Sequence, residues 1–280
     1  MKIINLLPFF LLTILISCKT QNPKISYNQM VAMASVDARK LVNEPEFNEC
    51  DRGRKEFGDI TLKSNMWGRS KIKQGNPVLC TYKKGDNFGW KWEMPKSASG
   101  VIAYPALEIG RTPWGSKQRG KIAGFPLKVS RIKNLTSGYD VETHVKHKKF
   151  NLSYDFWLTD IELGEGSNIR TEIMIWEDYF DFTSFGKVID KIQTPFGEYK
   201  VHKGHLKNEK FEQDWIYLAF VRTTPRTKGA VDINYLLQYL SRNAHINPEH
   251  YFTSIEFGNE IGNSSGITLV KDFNWDLKAN

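Results

Sequence analysis

The chain has 280 residues, of which 40% are hydrophobic and 13% aromatic, so it can form one large core or two small ones. Its formal net charge is +8, but the basic residues are scattered and form only short clusters such as 146–149. No helix-turn-helix, zinc-finger or RRM pattern accompanies them, so the charge indicates a solvated basic surface and no nucleic-acid partner. Neither the cysteines nor the histidines have metal-ligand spacing, so no metal site and no cofactor are expected.

The N-terminus has the pattern of an export signal. Lys2 is followed by an apolar run from Leu6 to Ile16, which is too short to span a membrane. The run ends in Leu15-Ile16-Ser17-Cys18, which is typical of a bacterial lipobox. We therefore predict a signal peptide over residues 1–17, lipidation of Cys18, and a tether over 18–45 that anchors the protein to the cell envelope by lipid only. The alternative is an ordinary signal peptide with an incidental cysteine.

Cys50 and Cys80 remain in the mature chain. An exported protein reaches an oxidising compartment, so we predict a disulfide between them.

From residue 46 to 280 the chain is predicted to form one all-β domain. Short β-rich runs alternate with turn signals, which favours a sandwich or a barrel. The segment from Val231 to Asn243 differs, because its apolar residues recur at helical spacing and predict one amphipathic helix. A short helix is also predicted from Met30 to Leu41, within the tether.

Three segments contain the candidate catalytic carboxylates. Thr171 to Trp176 reads as a strand in which Glu172, Met174 and Trp176 share one face. A carboxylate beside a thioether and an indole suits a sugar-binding face, although an edge-strand glutamate in contact with water gives the same pattern. In Ser153 to Leu158, Asp155 and Trp157 share a face by the same alternation, and Asp155 lies near Glu172 if the two strands are neighbours.

The third segment runs from Ser254 to Glu260. Glu256, Gly258 and Glu260 share a face if the strand is regular. Gly258 then leaves space beside Glu260 for a ligand, or else marks a β-bulge.

Taken together and in order, these segments resemble glycoside hydrolase family 12. The nucleophile strand of that family reads E-[IL]-M-I-W, as at 172–176, and its acid/base strand reads roughly G-T-E, as at 258–260 with Asn259 in place of Thr. Further matches are N-M-W-G at 65–68, G-W-K-W at 89–92, Y-P at 104–105 and Y-D-F-W at 154–157. The resemblance covers about residues 48 to 275.

The resemblance implies a β-jelly roll of two antiparallel sheets with a concave substrate cleft and one packed helix. It also implies a retaining endo-β-1,4-glucanase that acts as a monomer on β-glucan polysaccharides. Glu172 is then the nucleophile, Glu260 the general acid/base, and Asp155 a hydrogen-bond partner of Glu172. The residues implied in substrate binding are Asn65, Trp67, Trp157 and Met174, the last beneath the nucleophile. Trp90, Trp92 and Trp114 are further candidates for binding, and core packing is expected for at least one of them.

Two departures from the family pattern bear on the site. Glu256 stands where the family often has Gln, and its charge raises the pKa of Glu260 if both side chains face the cleft. Glu177 stands where the family is often apolar, but alternation directs it away from Glu172.

Two other functions fit the same sequence less well. A xyloglucan-specific or mixed-linkage β-glucanase would use the same machinery, and the cleft loops would decide between these substrates. A lipid-anchored carbohydrate-binding sandwich needs the aromatic residues but not two glutamates, so Glu172 and Glu260 argue against it.

Overall fold

The computed structural model describes residues 34–280 except 52, 115–119, 147–148 and 209–212. Cys18 and the predicted signal peptide therefore lie outside the described residues. Within the described ranges the protein has two α-helices, three short 3₁₀ turns and seventeen strands. The α-helices are α1 (Val36–Asn43) and α2 (Ile233–Arg242), and the 3₁₀ turns are Arg69–Lys71, Val129–Arg131 and Gly166–Asn168.

The strands follow the turn signals of the sequence. They are β1 (Phe47–Cys50), β2 (Arg54–Phe57), β3 (Ile60–Lys63), β4 (Val78–Lys84), β5 (Asn87–Glu93), β6 (Ala106–Gly110), β7 (Leu127–Lys128), β8 (Ile132–Lys146), β9 (Phe150–Thr159), β10 (Ile169–Phe180), β11 (Lys187–Thr194), β12 (Gly197–Asn208), β13 (Gln213–Arg222), β14 (Lys228–Asp232), β15 (Tyr251–Phe252), β16 (Ser254–Gly258) and β17 (Ser265–Ala279).

These strands form two sheets, as the all-β prediction requires. The smaller sheet has six strands in the order β1-β4-β5-β17-β8-β14. The larger has eleven, nine of them in the order β11-β12-β13-β10-β9-β16-β6-β3-β2, with β15 and β7 attached beside β9. The expectation of purely antiparallel sheets fails at one place, because β10 and β13 are parallel.

The main core lies between the sheets. Residues that alternate along the central strands face inward, among them Ile173 and Ile175 of β10 and Phe156 of β9. The four apolar residues of α2, which are Ile233, Leu236, Leu237 and Leu240, are buried in the same core. Asp232 caps this helix by accepting a hydrogen bond from the backbone N–H of Tyr235 at 2.8 Å.

Helix α1 packs on the outer face of the smaller sheet, so the structure has a second docked helix. Ala38 and Leu41 are buried there in a cluster with Cys80, Ile267 and Leu269. Residues 34–43 of the segment predicted as a tether are therefore part of the folded unit.

The predicted disulfide joins Cys50 to Cys80, which are directly paired residues of β1 and β4. Among the described residues, no helix is long and apolar enough to cross a membrane.

Candidate active site

Glu172 lies on the outer face of the larger sheet. Along β10, Ile173 and Ile175 face the main core, whereas Met174 and Trp176 belong to a separate cluster on the opposite face. Alternation places Glu172 on that opposite face, as the sequence predicts. We call this outer surface, around Glu172 and Asp155, the cleft face.

The neighbouring strands bring the other predicted groups to Glu172. Strand β9 is antiparallel to β10, with Trp157 directly opposite Glu172 and Asp155 opposite Met174. Asp155 is thus the diagonal neighbour of Glu172, which confirms the predicted adjacency of the two strands. On the other side, Tyr217 of β13 is paired with Glu172.

The hydrogen-bond donor to Glu172 is a residue that the sequence did not indicate. The indole Nε1 of Trp215 donates to Glu172 Oε2 at 2.8 Å. Trp215 also contacts the rings of Trp157 and Trp114 edge to face, with centroids 6.0 and 5.9 Å away. Trp114 and Trp157 are themselves 5.2 Å apart, so three indoles form one cluster beside the glutamate. Because an indole N–H only donates, this bond favours the ionised carboxylate.

Asp155 does not have the predicted hydrogen bond to Glu172. Its Oδ1 is buried without a hydrogen-bond partner among the described residues. The hydrogen bond to Glu172 comes from Trp215 instead. Burial and the charges of Glu172 and Glu260 raise the pKa of Asp155 well above its ordinary value. Asp155 therefore interacts electrostatically with both glutamates.

Glu260 follows β16 by two residues and is fixed by Asn151. The backbone N–H of Glu260 donates to Asn151 Oδ1 at 2.9 Å, and Asn151 Nδ2 donates to Glu260 Oε2. The backbone N–H of Asn151 also donates to the Glu260 carbonyl at 3.3 Å. One asparagine from β9 thus holds both the backbone and the carboxyl of Glu260.

Trp90 and Trp92 are core residues, which corrects their prediction as substrate-binding residues. Both are fully buried between the sheets. Their indole N–H groups donate to Asn259 Oδ1 at 2.8 Å and to Ser264 Oγ at 2.9 Å. An indole fits a core and a sugar face equally well, so the residue type alone did not decide between them. Their role is to support the chain on both sides of Glu260.

Asn259, which stands where the family pattern has Thr, makes three hydrogen bonds through its side chain. Its Oδ1 accepts hydrogen bonds from Trp90 and from Thr268 Oγ1 at 2.9 Å, and its Nδ2 donates to the Asn151 carbonyl at 2.7 Å. A threonine hydroxyl also has one donor and two acceptor sites, but they meet at a single oxygen, whereas the Asn259 amide places its acceptor and its donor on two separate atoms. Asn259 therefore connects the core to the segment that carries Glu260.

Gly258 is required by the protein backbone and not by a ligand. A Cβ at this position would lie 2.0 Å from the carbonyl oxygen of Pro105 and 2.8 Å from the Ala106 side chain. The predicted space beside Glu260 is thus occupied by the chain just before β6.

Burial raises the pKa of both glutamates. It raises that of Glu172 to about 8, against the opposing effect of the Trp215 hydrogen bond, and the charge of Glu260 adds to the rise. It raises that of Glu260 to about 7, while the Asn151 hydrogen bond and the charge of Lys71 act in the other direction. Since the groups interact, their protons belong to the pair, which holds at least one proton near neutral pH.

Glu256 has no direct effect on the pKa of Glu260, contrary to the expectation from the sequence. Its carboxylate is ion-paired with the buried Lys63, and its Oε2 accepts a hydrogen bond from Trp157 Nε1 at 3.1 Å. The causes that shift the pKa of Glu260 do not include Glu256.

Glu177 points away from Glu172, as predicted, and is fully buried on the core side of β10. There it accepts hydrogen bonds from Tyr139 and Tyr199 and pairs with Arg226 at 2.6 Å.

The remaining predicted binding residues differ in exposure. Trp67 is 54% exposed, and the ammonium of Lys71 lies 4.1 Å from the centre of its ring. Asn65 is half-buried and adopts a left-handed backbone conformation, with φ of 46°. Met174 is buried beside Glu172, and its sulfur accepts a hydrogen bond from Tyr217 OH at 3.4 Å.

In the described part of the chain, no three His, Cys, Asp or Glu side chains are grouped so as to hold a metal ion.

A model of glycosyl hydrolase family 12 matches residues 58–278, which is most of the chain and includes all of the groups above. The chain belongs to this family. It is therefore a glycoside hydrolase, and its two sheets are those of the family's β-jelly roll.

Relatives of this family-12 enzyme include endoglucanases and xyloglucanases. Endoglucanase S of Pectobacterium parmentieri is 29% identical over 223 residues, which are 78% of this chain and 81% of the relative. A xyloglucan-specific endo-beta-1,4-glucanase A of Aspergillus aculeatus is 26% identical over 222 residues, covering 76% and 83%.

Solved structures of the family share the fold. A family 12 xyloglucanase from Bacillus licheniformis superposes with a TM-score of 0.73 at 22% identity, covering 84% of this chain and 100% of that one. An endoglucanase from Rhodothermus marinus gives 0.68 at 19% identity, with the same coverage.

Proposed function

We propose that this family-12 enzyme is a retaining endo-β-1,4-glucanase in which Glu172 is the nucleophile and Glu260 the general acid/base. The observation that carries the proposal is the pair itself. Two half-buried carboxyls on the cleft face interact electrostatically, and each is held by a donor of its own, Trp215 or Asn151. A retaining glycosidase needs two such groups, about 5–5.5 Å apart, one ionised and one protonated.

In the first step, Glu260 gives its proton to the glycosidic oxygen while Glu172 attacks the anomeric carbon. Trp215 holds Oε2 of Glu172, so Oε1 is the oxygen that forms the bond to the sugar. The C–O bond to the leaving glucan breaks and a glycosyl-enzyme ester forms.

In the second step, Glu260 acts as the base. Glu172 carries no charge once the ester has formed, and a carboxyl without a like charge beside it ionises more easily, so Glu260 can now act as a carboxylate. Glu260 then takes a proton from water, the water attacks the anomeric carbon, and Glu172 leaves as a carboxylate. The sugar is released with its original configuration.

The aromatic side chains around the pair suit a β-1,4-linked glucan. Each glucose presents flat apolar faces, and exposed indole rings bind such faces by stacking. Trp157 adjoins Glu172 but is only 7% exposed, whereas the exposed Trp67, with Asn65, is proposed to contact the sugars on the non-reducing side of the cut bond. The names of the relatives include both endoglucanase and xyloglucan-specific enzymes. Reducing-sugar release on carboxymethylcellulose, barley β-glucan and xyloglucan separates these substrates.

The proposal is tested with Glu172→Gln and Glu260→Gln, which remove each charge and keep the shape. We expect each to lower the hydrolysis of glucan by at least about 10²- to 10⁴-fold, because general acid–base and nucleophilic groups contribute that much. Circular dichroism and the melting temperature check that the variants fold, and ¹H NMR of the first product in the wild type checks retention. A folded variant with unchanged activity would overturn the assignment. Glucan binding by the wild type without any product would support a non-catalytic binding module instead.

We also propose that the enzyme is exported and held at the bacterial cell envelope by lipid on Cys18. The support is the apolar run that ends at this cysteine and the Cys50–Cys80 disulfide, which fits an oxidising compartment. Mass spectrometry of the N-terminal peptide should show a diacylglyceryl-modified Cys18. Cys18→Ala should move the enzyme from the membrane fraction to the soluble fraction, and a wild-type enzyme that is already soluble would contradict the anchor.

A further inference from the structure

Three carboxyl groups form a lateral row across adjacent strands of the cleft face. Glu108 of β6 is paired with Glu256 of β16, and Glu256 is paired with Asp155 of β9. Neighbouring strands lie about 4.8 Å apart, and like charges that are directly opposite destabilise a sheet. The row therefore needs positive charge nearby.

Two basic residues supply that charge. Lys63 Nζ is 2.8 Å from Glu108 Oε2 and is also ion-paired with Glu256, and Arg54 lies 2.6 Å from the other oxygen of Glu108. The Lys63 side chain is 9% exposed, and those of Glu108 and Glu256 are 0% and 3% exposed, so water screens these charges little. Two cations and two carboxylates cancel, and the cluster is neutral as a unit.

This cluster adjoins the catalytic carboxyls. The positive charge of Lys63 lowers the pKa of Asp155, whereas the charges of Glu172 and Glu260 raise it. Glu256 also accepts the hydrogen bond from Trp157, the residue paired with Glu172. Any charge gained or lost in the cluster therefore acts on Asp155 and, through it, on the pair that performs the reaction.

We propose that Lys63 and Glu256 are positioning residues whose balanced charges set the pH range in which Glu172 and Glu260 are active. The inference rests on the proposed function, since it concerns the same pair. Within the part of the chain that the structure describes, the other charged or titratable groups that face these carboxyls are Arg54, Lys71, Tyr104, Glu108, Asp155 and Tyr217.

The proposal makes predictions of opposite sign for two variants. Lys63→Met leaves the cluster with one net negative charge, which raises the pKa of the catalytic carboxyls and moves both limbs of the pH profile of kcat/KM to higher pH. Glu256→Gln leaves one net positive charge and moves both limbs to lower pH. A charge at this range shifts each limb by about 0.5 to 1 pH unit. The double variant Lys63→Met/Glu256→Gln is neutral again, and its limbs return to the wild-type positions.

The experiment measures kcat/KM across pH for the full-length enzyme and the three variants on a soluble β-glucan, with the melting temperature as a check on folding. A purely structural role would lower activity at every pH and leave the limbs in place. Limbs that stay within about 0.2 unit in a folded single variant, or that move in the same direction in both, would overturn the proposal.

If Lys63→Met does not fold, Glu256→Gln and the double variant still test the proposal. Glu256→Gln should move the limbs of the pH profile, and the double variant should not. Failure of the proposal about Lys63 and Glu256 can be told apart from failure of the proposed function. The latter would show as activity in Glu172→Gln or Glu260→Gln.

Discussion

At the scale of single residues, the site depends on two donors that define the two glutamates. Trp215 donates to Glu172 and Asn151 donates to Glu260, so each carboxyl keeps one oxygen fixed and one available. Holding one oxygen fixes the whole carboxyl group, so the free oxygen that reacts is already oriented and little reorganisation remains for the transition state.

Trp215→Phe tests this arrangement. The variant keeps an aromatic ring but removes the N–H, so the ionised form of Glu172 loses a charged hydrogen bond of about 1.5–3 kcal/mol. We expect kcat/KM to fall by about 10- to 100-fold and the acidic limb of its pH profile to move to higher pH. Trp275→Phe, a change on β17 in the smaller sheet, is the matched control and should leave both unchanged. An unshifted acidic limb in Trp215→Phe would contradict the role of the indole.

The sequence predicted the residues whose signals are local. Alternation along β10 placed Glu172 and Met174 on one face and the isoleucines on the other, and the structure agrees. Trp215 and Asn151 were missed because they lie 43 and 109 positions away from their partners. Their proximity depends on the pairing of β13 with β10 and on the connection after β16, which no local pattern reveals.

At the scale of elements, helix α1 stabilises the sheet that does not carry the site. Its buried residues cover β4, β5 and β17 beside the disulfide, and Leu41 approaches the backbone at Gly89 so closely that a Cβ there would be 2.5 Å from it. Its serine N-cap, Ser35, accepts from the backbone N–H of Ala38 at 3.1 Å, and its own N–H donates to Glu142 at 2.9 Å. The sequence predicted a helix from Met30 to Leu41; residues 30–33 lie outside the described part of the chain, and the described helix runs from Val36 to Asn43.

Leu41→Ala should therefore destabilise the enzyme without altering its chemistry. Truncation of a fully buried leucine costs about 2 to 5 kcal/mol in the free energy of unfolding, which denaturant titration measures. Val36→Ala on the same helix is the control, because Val36 is 54% exposed and should cost little. Equal, small effects of the two substitutions would show that α1 does not pack as described.

At the scale of the whole molecule, the active site costs stability at high pH. The folded pKa values of Glu172 and Glu260 lie above their ordinary value of 4.5, at about 8 and about 7. Between pH 4.5 and these raised pKa values, the folded state thus binds more protons than the unfolded state. The stabilisation that comes from the two protonated glutamates is therefore present at low pH and is lost as the pH rises through about 7 to 8.

Neutral variants of the site should reveal this cost. Glu172→Gln and Glu260→Gln cannot ionise, so their melting temperatures should rise relative to wild type as the pH increases from about 5 to about 9. Differential scanning calorimetry across this range measures the difference. A gap that stays constant or narrows with pH would contradict the raised pKa values.

Azide rescue tests most directly that Glu172 is the nucleophile and Glu260 the general acid/base. Glu172→Ala and Glu260→Ala are incubated with an aryl β-cellobioside and sodium azide, so that the small anion replaces the missing carboxylate. In Glu172→Ala, azide attacks directly and should yield the α-glycosyl azide. In Glu260→Ala, azide attacks the glycosyl-enzyme and should yield the β-glycosyl azide. Exchanged anomers would reverse the two roles, and no azide product from either rescued variant would contradict the double-displacement account.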